Sequence, residues 1–181
     1  VPLERSIFRA YDIRGIVGTN LDAGIARMVG EAVGSELIEK GLRGIVVGYD
    51  GRLSSPEIAE GLIQGLCSTG VAVINIGMVP TPLVYFAANN SEFTSGISVT
   101  GSHNPPDYNG LKIVIDGNAL SGAAITSLFD RIVEKKIIQS AVHGAVSHRD
   151  IVPEYTRYIA DDIQIDRPLR VVVDCGNGVP G

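Results

Sequence analysis

Thr100-Gly101-Ser102-His103-Asn104-Pro105 sets a hydroxyl nucleophile into a tight turn, and Pro106-Asp107-Tyr108-Asn109-Gly110-Leu111-Lys112 brings a cation close behind it. A serine hydroxyl is a weak nucleophile that needs a base, a positive field or both. Gly101 permits a sharp bend, and Pro105-Pro106 forbids helix and stiffens the exit. The stretch therefore predicts a rigid, exposed loop with Ser102 at its tip. Gly, Ser, Asn and Pro are also ordinary turn residues, so a plain surface turn is the competing reading. His103 invites a serine-hydrolase arrangement, but there is no Gly-x-Ser-x-Gly elbow and no third acid placed to orient the imidazole. Neighbours on a turn generally point apart. His103 is therefore read as hydrogen-bonding the loop, with general base as the alternative. Asn104 pins the loop through its amide.

Other polar residues could serve the same chemistry. Lys112 interrupts an apolar run just after the loop, where a long side chain can turn back over Ser102; an exposed strand lysine is the bland alternative. Arg14 carries a planar fork suited to phosphate oxygens, and Tyr11, three residues earlier, adds a ring and a hydroxyl. A structural Arg14–Asp12 pair would explain the same residues. Asp50 and Arg52 form a polar turn read as structural. His143 and His148 read as solvated, and Gly176-Asn177-Gly178 is a weak resemblance to a phosphate cradle before a helix.

The elements that must position these residues alternate between helical and strand patterns. Ile25, Met28, Val29, Ala32, Val33, Leu37 and Ile38 recur at helical spacing, with Gly41 as a stop. Gly44–Gly48 reads as a buried strand. Ser54-Ser55-Pro56-Glu57 then reads as a capped helix start, with Ile58, Leu62, Ile63 and Leu66 on one face and an end near Gly70. Residues 71–77 read as a strand and 83–90 as a helix capped by Thr81. Strands at 97–99 and 111–115 flank the serine loop. A helix from about Ser121 turns Ile125, Leu128, Phe129, Ile132 and Val133 inward. The pattern weakens from His143 to Asp150, a predicted linker, and 153–163 is a polar–apolar helix. Leu169–Asp174 reads as a buried strand leading into a helix that never arrives. The fold class is therefore α/β, a three-layer domain with a mixed, mostly parallel sheet between helices, over residues 1–148. Residues 149–181 would hold the linker, first helix and first strand of a truncated second domain.

At 181 residues with 45% hydrophobic content the chain can bury a substantial core. Its net charge of -5 argues against a nucleic-acid surface and leaves anionic ligands to local cations. No apolar run is long enough to span a bilayer, and the two cysteines lack metal-ligand spacing, which together suggest a cytoplasmic chain with free thiols.

Phe8-Arg9-Ala10-Tyr11-Asp12-Ile13-Arg14-Gly15, the Thr100–Pro105 loop, Asn109-Gly110-Leu111-Lys112 and Val173-Asp174-Cys175-Gly176-Asn177-Gly178 run collinearly along the chain. Together they resemble the N-terminal part of the α-D-phosphohexomutases, and of bacterial phosphomannomutase/phosphoglucomutases in particular. Thr100-Gly101 favours the mannose/glucose branch over the phosphoglucosamine mutases. The resemblance implies four domains around a cleft and interconversion of hexose 1- and 6-phosphates through a phosphoserine at Ser102 and a hexose 1,6-bisphosphate. It implies that Lys112 is the general acid/base, that Tyr11 touches substrate and that Arg14 supports the serine phosphate. The catalytic candidates are thus Ser102, Lys112 and His103, the substrate-binding ones Tyr11, Arg14 and Ser102, and Thr100, Gly101 and Asn104 support the loop. It also implies Mg²⁺, bound by the Ser102 phosphate and three aspartates beyond Gly181, with glucose 1,6-bisphosphate as activator and the remaining domains as partners. A catalytically incompetent isolated domain and a serine hydrolase are the alternatives carried forward.

Overall fold

In the computed structural model, which describes residues 1–176, 178 and 179, helices flank a seven-stranded mixed sheet. The strands are β1 (Ile13–Ile16), β2 (Gly44–Tyr49), β3 (Ala72–Met78), β4 (Gly96–Val99), β5 (Tyr108–Ile115), β6 (Asn118–Ala119) and β7 (Val146–His148). The helices are α1 (Ala23–Glu39), α2 (Ser55–Ser68), α3 (Thr81–Asn89), α4 (Ala123–Val133) and α5 (Val152–Asp162). The order across the sheet is β1-β5-β4-β2-β3-β7, with the short β6 beside β5. β4, β2, β3 and β7 are parallel, whereas β5 runs antiparallel to both β4 and β1. The expected mixed sheet is thus present, and its antiparallel part is the part that carries the serine loop.

One face of the sheet is closed by apolar packing. Ile45, Val47, Ile97, Leu111 and Ile113 meet Ile25, Val29, Val33, Leu62 and Leu66 from α1 and α2, and Ile125 and Leu128 from α4. α1 and α2 approach so closely that a Cβ on Gly65 would collide with the Arg27 carbonyl, and one on Gly30 with that of Leu62. The opposite face carries a smaller cluster in which Val46, Ile76 and Val79 pack under Leu83, Val84 and Ala87 of α3, joined by Ile151. Tyr155 and Tyr158 of α5 meet the Phe86 ring of α3, both with centroids 5.2 Å apart. Among the described residues no helix is long and apolar enough to cross a membrane.

Several local expectations are corrected. Ser54 does not cap α2 through its side chain; its hydroxyl and that of Ser55 take hydrogen bonds from Asn109 instead. Thr81 is the first residue of α3, not its cap, and its hydroxyl pairs with that of Ser98. Val133 is 57% exposed, since the helix ends there and its face turns past the core. The predicted linker contains β7, whose three residues are exposed, which leaves no alternation to read. β1 was also unread, because Arg14 and Gly15 break its apolar run. The strand expected at 169–174 does not form: Val171, Val172 and Val173 are exposed, and no described strand lies beside them.

Candidate functional site

The Ser102 loop is shaped by the strands that launch and receive it. β4 and β5 pair with Ser98 opposite Lys112, and the Thr100 N–H donates to the Gly110 carbonyl at 2.9 Å, so the loop starts from a closed ladder. Ser102 then adopts φ 54°, a left-handed conformation that costs a non-glycine residue roughly 1 kcal/mol. Its N–H donates to Thr100 Oγ1 at 2.9 Å, and Asn104 closes the turn with its side-chain and backbone N–H groups on the Gly101 carbonyl. Thr100 and Gly101 are buried, Ser102 is exposed, and the expected rigid loop with a serine tip is in place. The expectation that His103 would point away is corrected. Its Nδ1 lies 3.2 Å from Ser102 Oγ, with donor and acceptor set by the imidazole tautomer. The left-handed turn at Ser102 brings the neighbouring side chains back together.

Beneath the loop lies Arg52, whose side chain is only 15% exposed. Its Nη1 donates to the carbonyls of Pro105 at 2.6 Å and Tyr108 at 3.1 Å, and its Nη2 to those of Ser102 at 3.0 Å and Asn104 at 2.7 Å. Nε faces Asp50 Oδ2 at 3.3 Å, and that oxygen also accepts from the Gly101 N–H at 3.1 Å. A Cβ at position 101 would collide with the guanidinium, so the glycine is required by this close approach as much as by the bend. Asp50 Oδ1 accepts from Ser55 Oγ at 2.5 Å and from the Arg52 N–H. Ser55 in turn accepts from the buried Asn109 amide. One network thus ties the end of β2, the start of α2 and the start of β5 to the serine loop. Sequence reading treated Asp50 and Arg52 as a structural turn and left them out of the site. The available signal was their place at the carboxyl end of a parallel strand, where loops from neighbouring strands converge.

The other candidates gather on β1 and β5. Arg14 stands opposite Gly110 in the register, which leaves room for its side chain across the sheet. Arg14 Nη2 bonds Asp12 Oδ2, and Lys112 Nζ lies 3.6 Å from the same oxygen. The Arg14–Asp12 pair is therefore real, and Lys112 shares it. Arg14 Nε is buried and finds no hydrogen-bond partner among the described residues. Tyr11 is 78% exposed. A cleft of about 460 Å³ opens beside Ser102 between Arg52, Thr81, Thr100, Asn104 and Pro106. Tyr11, Arg14 and Lys112 are not among its walls; Arg14 and Lys112 meet at Asp12 on the β1–β5 side of the loop. Of the Gly176-Asn177-Gly178 turn, Asn177 lies outside the described residues, and the Gly176 N–H caps back onto Asp174 Oδ1 at 2.8 Å.

Residues 5–139 match the profile of phosphoglucomutase/phosphomannomutase, alpha/beta/alpha domain I. The chain belongs to the phosphoglucomutase/phosphomannomutase family. It is 54% identical over 179 residues to a phosphomannomutase/phosphoglucomutase of Pseudomonas aeruginosa, covering 99% of this chain and 38% of that protein. To a phosphoglucomutase of Neisseria meningitidis serogroup B it is 45% identical, again across 99% of this chain and 39% of the relative. A crystal structure of a phosphoglucomutase/phosphomannomutase family protein from Burkholderia thailandensis superimposes with a TM-score of 0.89 at 45% identity, over 93% of this chain and 38% of that one. The chain thus spans under two-fifths of the length of these family members. The family profile covers the whole sheet except β7 and takes in the serine loop, Arg52, Arg14 and Lys112.

Proposed function

We propose that the protein containing this chain interconverts hexose 1-phosphates and hexose 6-phosphates of glucose and mannose, with Ser102 carrying the phosphoryl group. The observation that supports this most directly is the loop itself: a serine held exposed in a left-handed turn by bonds to its own N–H and C=O. That arrangement fixes the backbone from which the hydroxyl projects, with His103 as the partner of Oγ, and positioning is what phosphoryl transfer needs from the protein.

In the proposed cycle the phosphoserine Oγ–P bond breaks, a sugar hydroxyl oxygen takes the phosphoryl group, the sugar proton leaves to a base, and Ser102 Oγ takes up a proton. The hexose 1,6-bisphosphate turns over and returns its other phosphoryl group to Ser102. Lys112 is proposed as the acid/base, Arg14 as support for the serine phosphate, Tyr11 as a substrate contact and His103 as a partner of Ser102 Oγ. A phosphoserine carries roughly -1.5 to -2 charges, and the Lys112–Arg14 pair around Asp12 supplies one net positive charge towards offsetting it. Mg²⁺ and glucose 1,6-bisphosphate belong to the same proposal, in which the phosphate on Ser102 would help hold the metal and the metal would supply charge stabilisation. Among the described residues no group of three His, Cys, Asp or Glu side chains stands close enough to hold a metal ion. In this proposal the Ser102 phosphate is this chain's ligand to the metal, the other ligands come from the remaining domains, and 1–148 is the first domain with 149–181 the opening of the second. A cytoplasmic location completes the reading.

Full-length protein incubated with glucose 1,6-bisphosphate and Mg²⁺ should gain one phosphoryl group by intact mass spectrometry, and Ser102→Ala should gain none. A wild-type protein that never acquires the group would overturn the proposal. The 181-residue chain alone should show no mutase turnover in a coupled glucose 6-phosphate assay.

A further inference from the structure

The four carbonyls collected by Arg52 do more than stiffen the loop. The chain contains no cis peptide bond among the described residues, and in a trans peptide the C=O and the following N–H point in opposite directions. Every carbonyl turned in to Arg52 therefore turns the next residue's N position outward. After Asn104 and Pro105 that next residue is a proline, which has no N–H to expose. After Tyr108 it is Asn109, which lies within β5. After Ser102 it is His103, whose N–H makes no hydrogen bond among the described residues and is the amide that follows the nucleophile directly.

We propose that Arg52 is a positioning residue that, by holding the Ser102 carbonyl inward, presents the His103 backbone N–H outward as a donor to the phosphoryl group on Ser102. The inference rests on the phosphoserine reading above. A preorganised donor of this kind stabilises charge on the transferring oxygens without reorganising at the moment of reaction. Arg52 touches neither the nucleophile nor the phosphorus; it acts through the backbone. Asp50 completes the device, since it takes Nε of Arg52 and the Gly101 N–H on one oxygen and so fixes the loop from its entry side. Lysine cannot replace arginine here, because a single ammonium lacks the planar fork that reaches carbonyls of Ser102, Asn104, Pro105 and Tyr108 together.

The test uses full-length protein, glucose 1,6-bisphosphate and Mg²⁺, with the rate of Ser102 phosphorylation followed by quenched-flow mass spectrometry. In this step the sugar O–P bond breaks, the Ser102 Oγ–P bond forms, and the serine proton goes to the sugar oxygen. Arg52→Ala should slow the limiting rate on the order of 10²-fold while the half-saturating bisphosphate concentration changes by less than about 3-fold. Arg52→Lys should fail to restore the rate, and both variants should exchange the amides of residues 100–108 faster. A folded variant labelled within about 3-fold of the wild-type rate would overturn the inference, as would a loss confined to half-saturation. If Arg52→Ala does not fold, Arg52→Lys decides on the same limits. Wild-type protein that takes up no phosphoryl group overturns the phosphoserine reading and this inference with it. Wild-type labelling with equally fast variants overturns the inference alone.

Discussion

The two faces of the sheet are made from the same strands and do opposite things. On β5, Leu111 and Ile113 point into the core beneath α1 and α2, while Gly110 and Lys112, alternating with them, stand opposite Arg14 and Ser98. On β4, Ile97 and Val99 go to the core, and Ser98 goes to the other side, where its hydroxyl pairs with that of Thr81. Because the side-chain period of a strand is two, adjacent residues can be given to stability and to chemistry without compromise. The apolar face is sealed by close helix contact. The opposite face carries the smaller apolar cluster under α3, and at its edge the Ser102 loop is held by hydrogen bonds that Arg52 donates and that Asp50 and Thr100 accept, and opens onto a cleft.

If the faces are separable, substitutions should sort cleanly between folding and transfer. Ser102→Ala should abolish phosphoryl uptake while changing the urea-unfolding free energy by no more than about 0.5 kcal/mol, as expected for an exposed side chain. Lys112→Met should lower turnover by about 10²–10⁴-fold if it is the acid/base, with the folded fraction unchanged by circular dichroism. Its neighbour Leu111→Ala should do the reverse. That buried leucine is expected to cost about 2–5 kcal/mol in a urea titration, with transfer per folded molecule preserved. A large stability loss in Lys112→Met, or a turnover loss in folded Leu111→Ala, would break the separation.

Smaller effects sharpen the contrast away from the sheet. The Arg131 guanidinium hydrogen-bonded to Glu39 holds that carboxyl below its ordinary value, against a smaller opposing push from burial. A depressed folded pKa means the stability from this pair is fully present above the unfolded value and is lost as pH falls through the folded one. Glu39 is half exposed, so screening keeps the contribution under about 1 kcal/mol, and Glu39→Gln should flatten the acid limb of a melting-temperature profile by that amount. Val172→Asp should change the stability of this 181-residue chain by less than about 0.5 kcal/mol, because the side chain is 97% exposed.

Much of the fold was legible because burial on one face leaves a period. α1, α2, β2, β3, β4 and α4 all carry apolar runs or helical spacing, and each formed close to its expected place. β1 and β7 lie at opposite edges of the sheet; the residues of β7 are all exposed and carry no pattern, and the alternation of β1 runs over only four residues. Leu169–Val173 shows the converse. It has the composition of a buried strand but no described neighbour to supply the ladder. The serine loop was legible from Gly101, Ser102 and Pro105-Pro106, since those residues restrict the backbone locally. The role of Arg52 was not, because its partners lie 50 to 56 residues away.

By itself, the sequence determined that a serine would stand at the tip of a stiff turn between two strands of an α/β sheet, with Lys112 close behind. Glycine, proline and alternating apolar residues act over a few bonds, and that is enough to set a turn and a pleat. Only the tertiary structure decided what holds the turn. The carboxyl ends of β2 and β4 meet because the strands are neighbours in the sheet, and that meeting puts one guanidinium under four carbonyls. It also decided that Lys112 and Arg14 share the Asp12 carboxylate, since strand register alone brings those three side chains to one place.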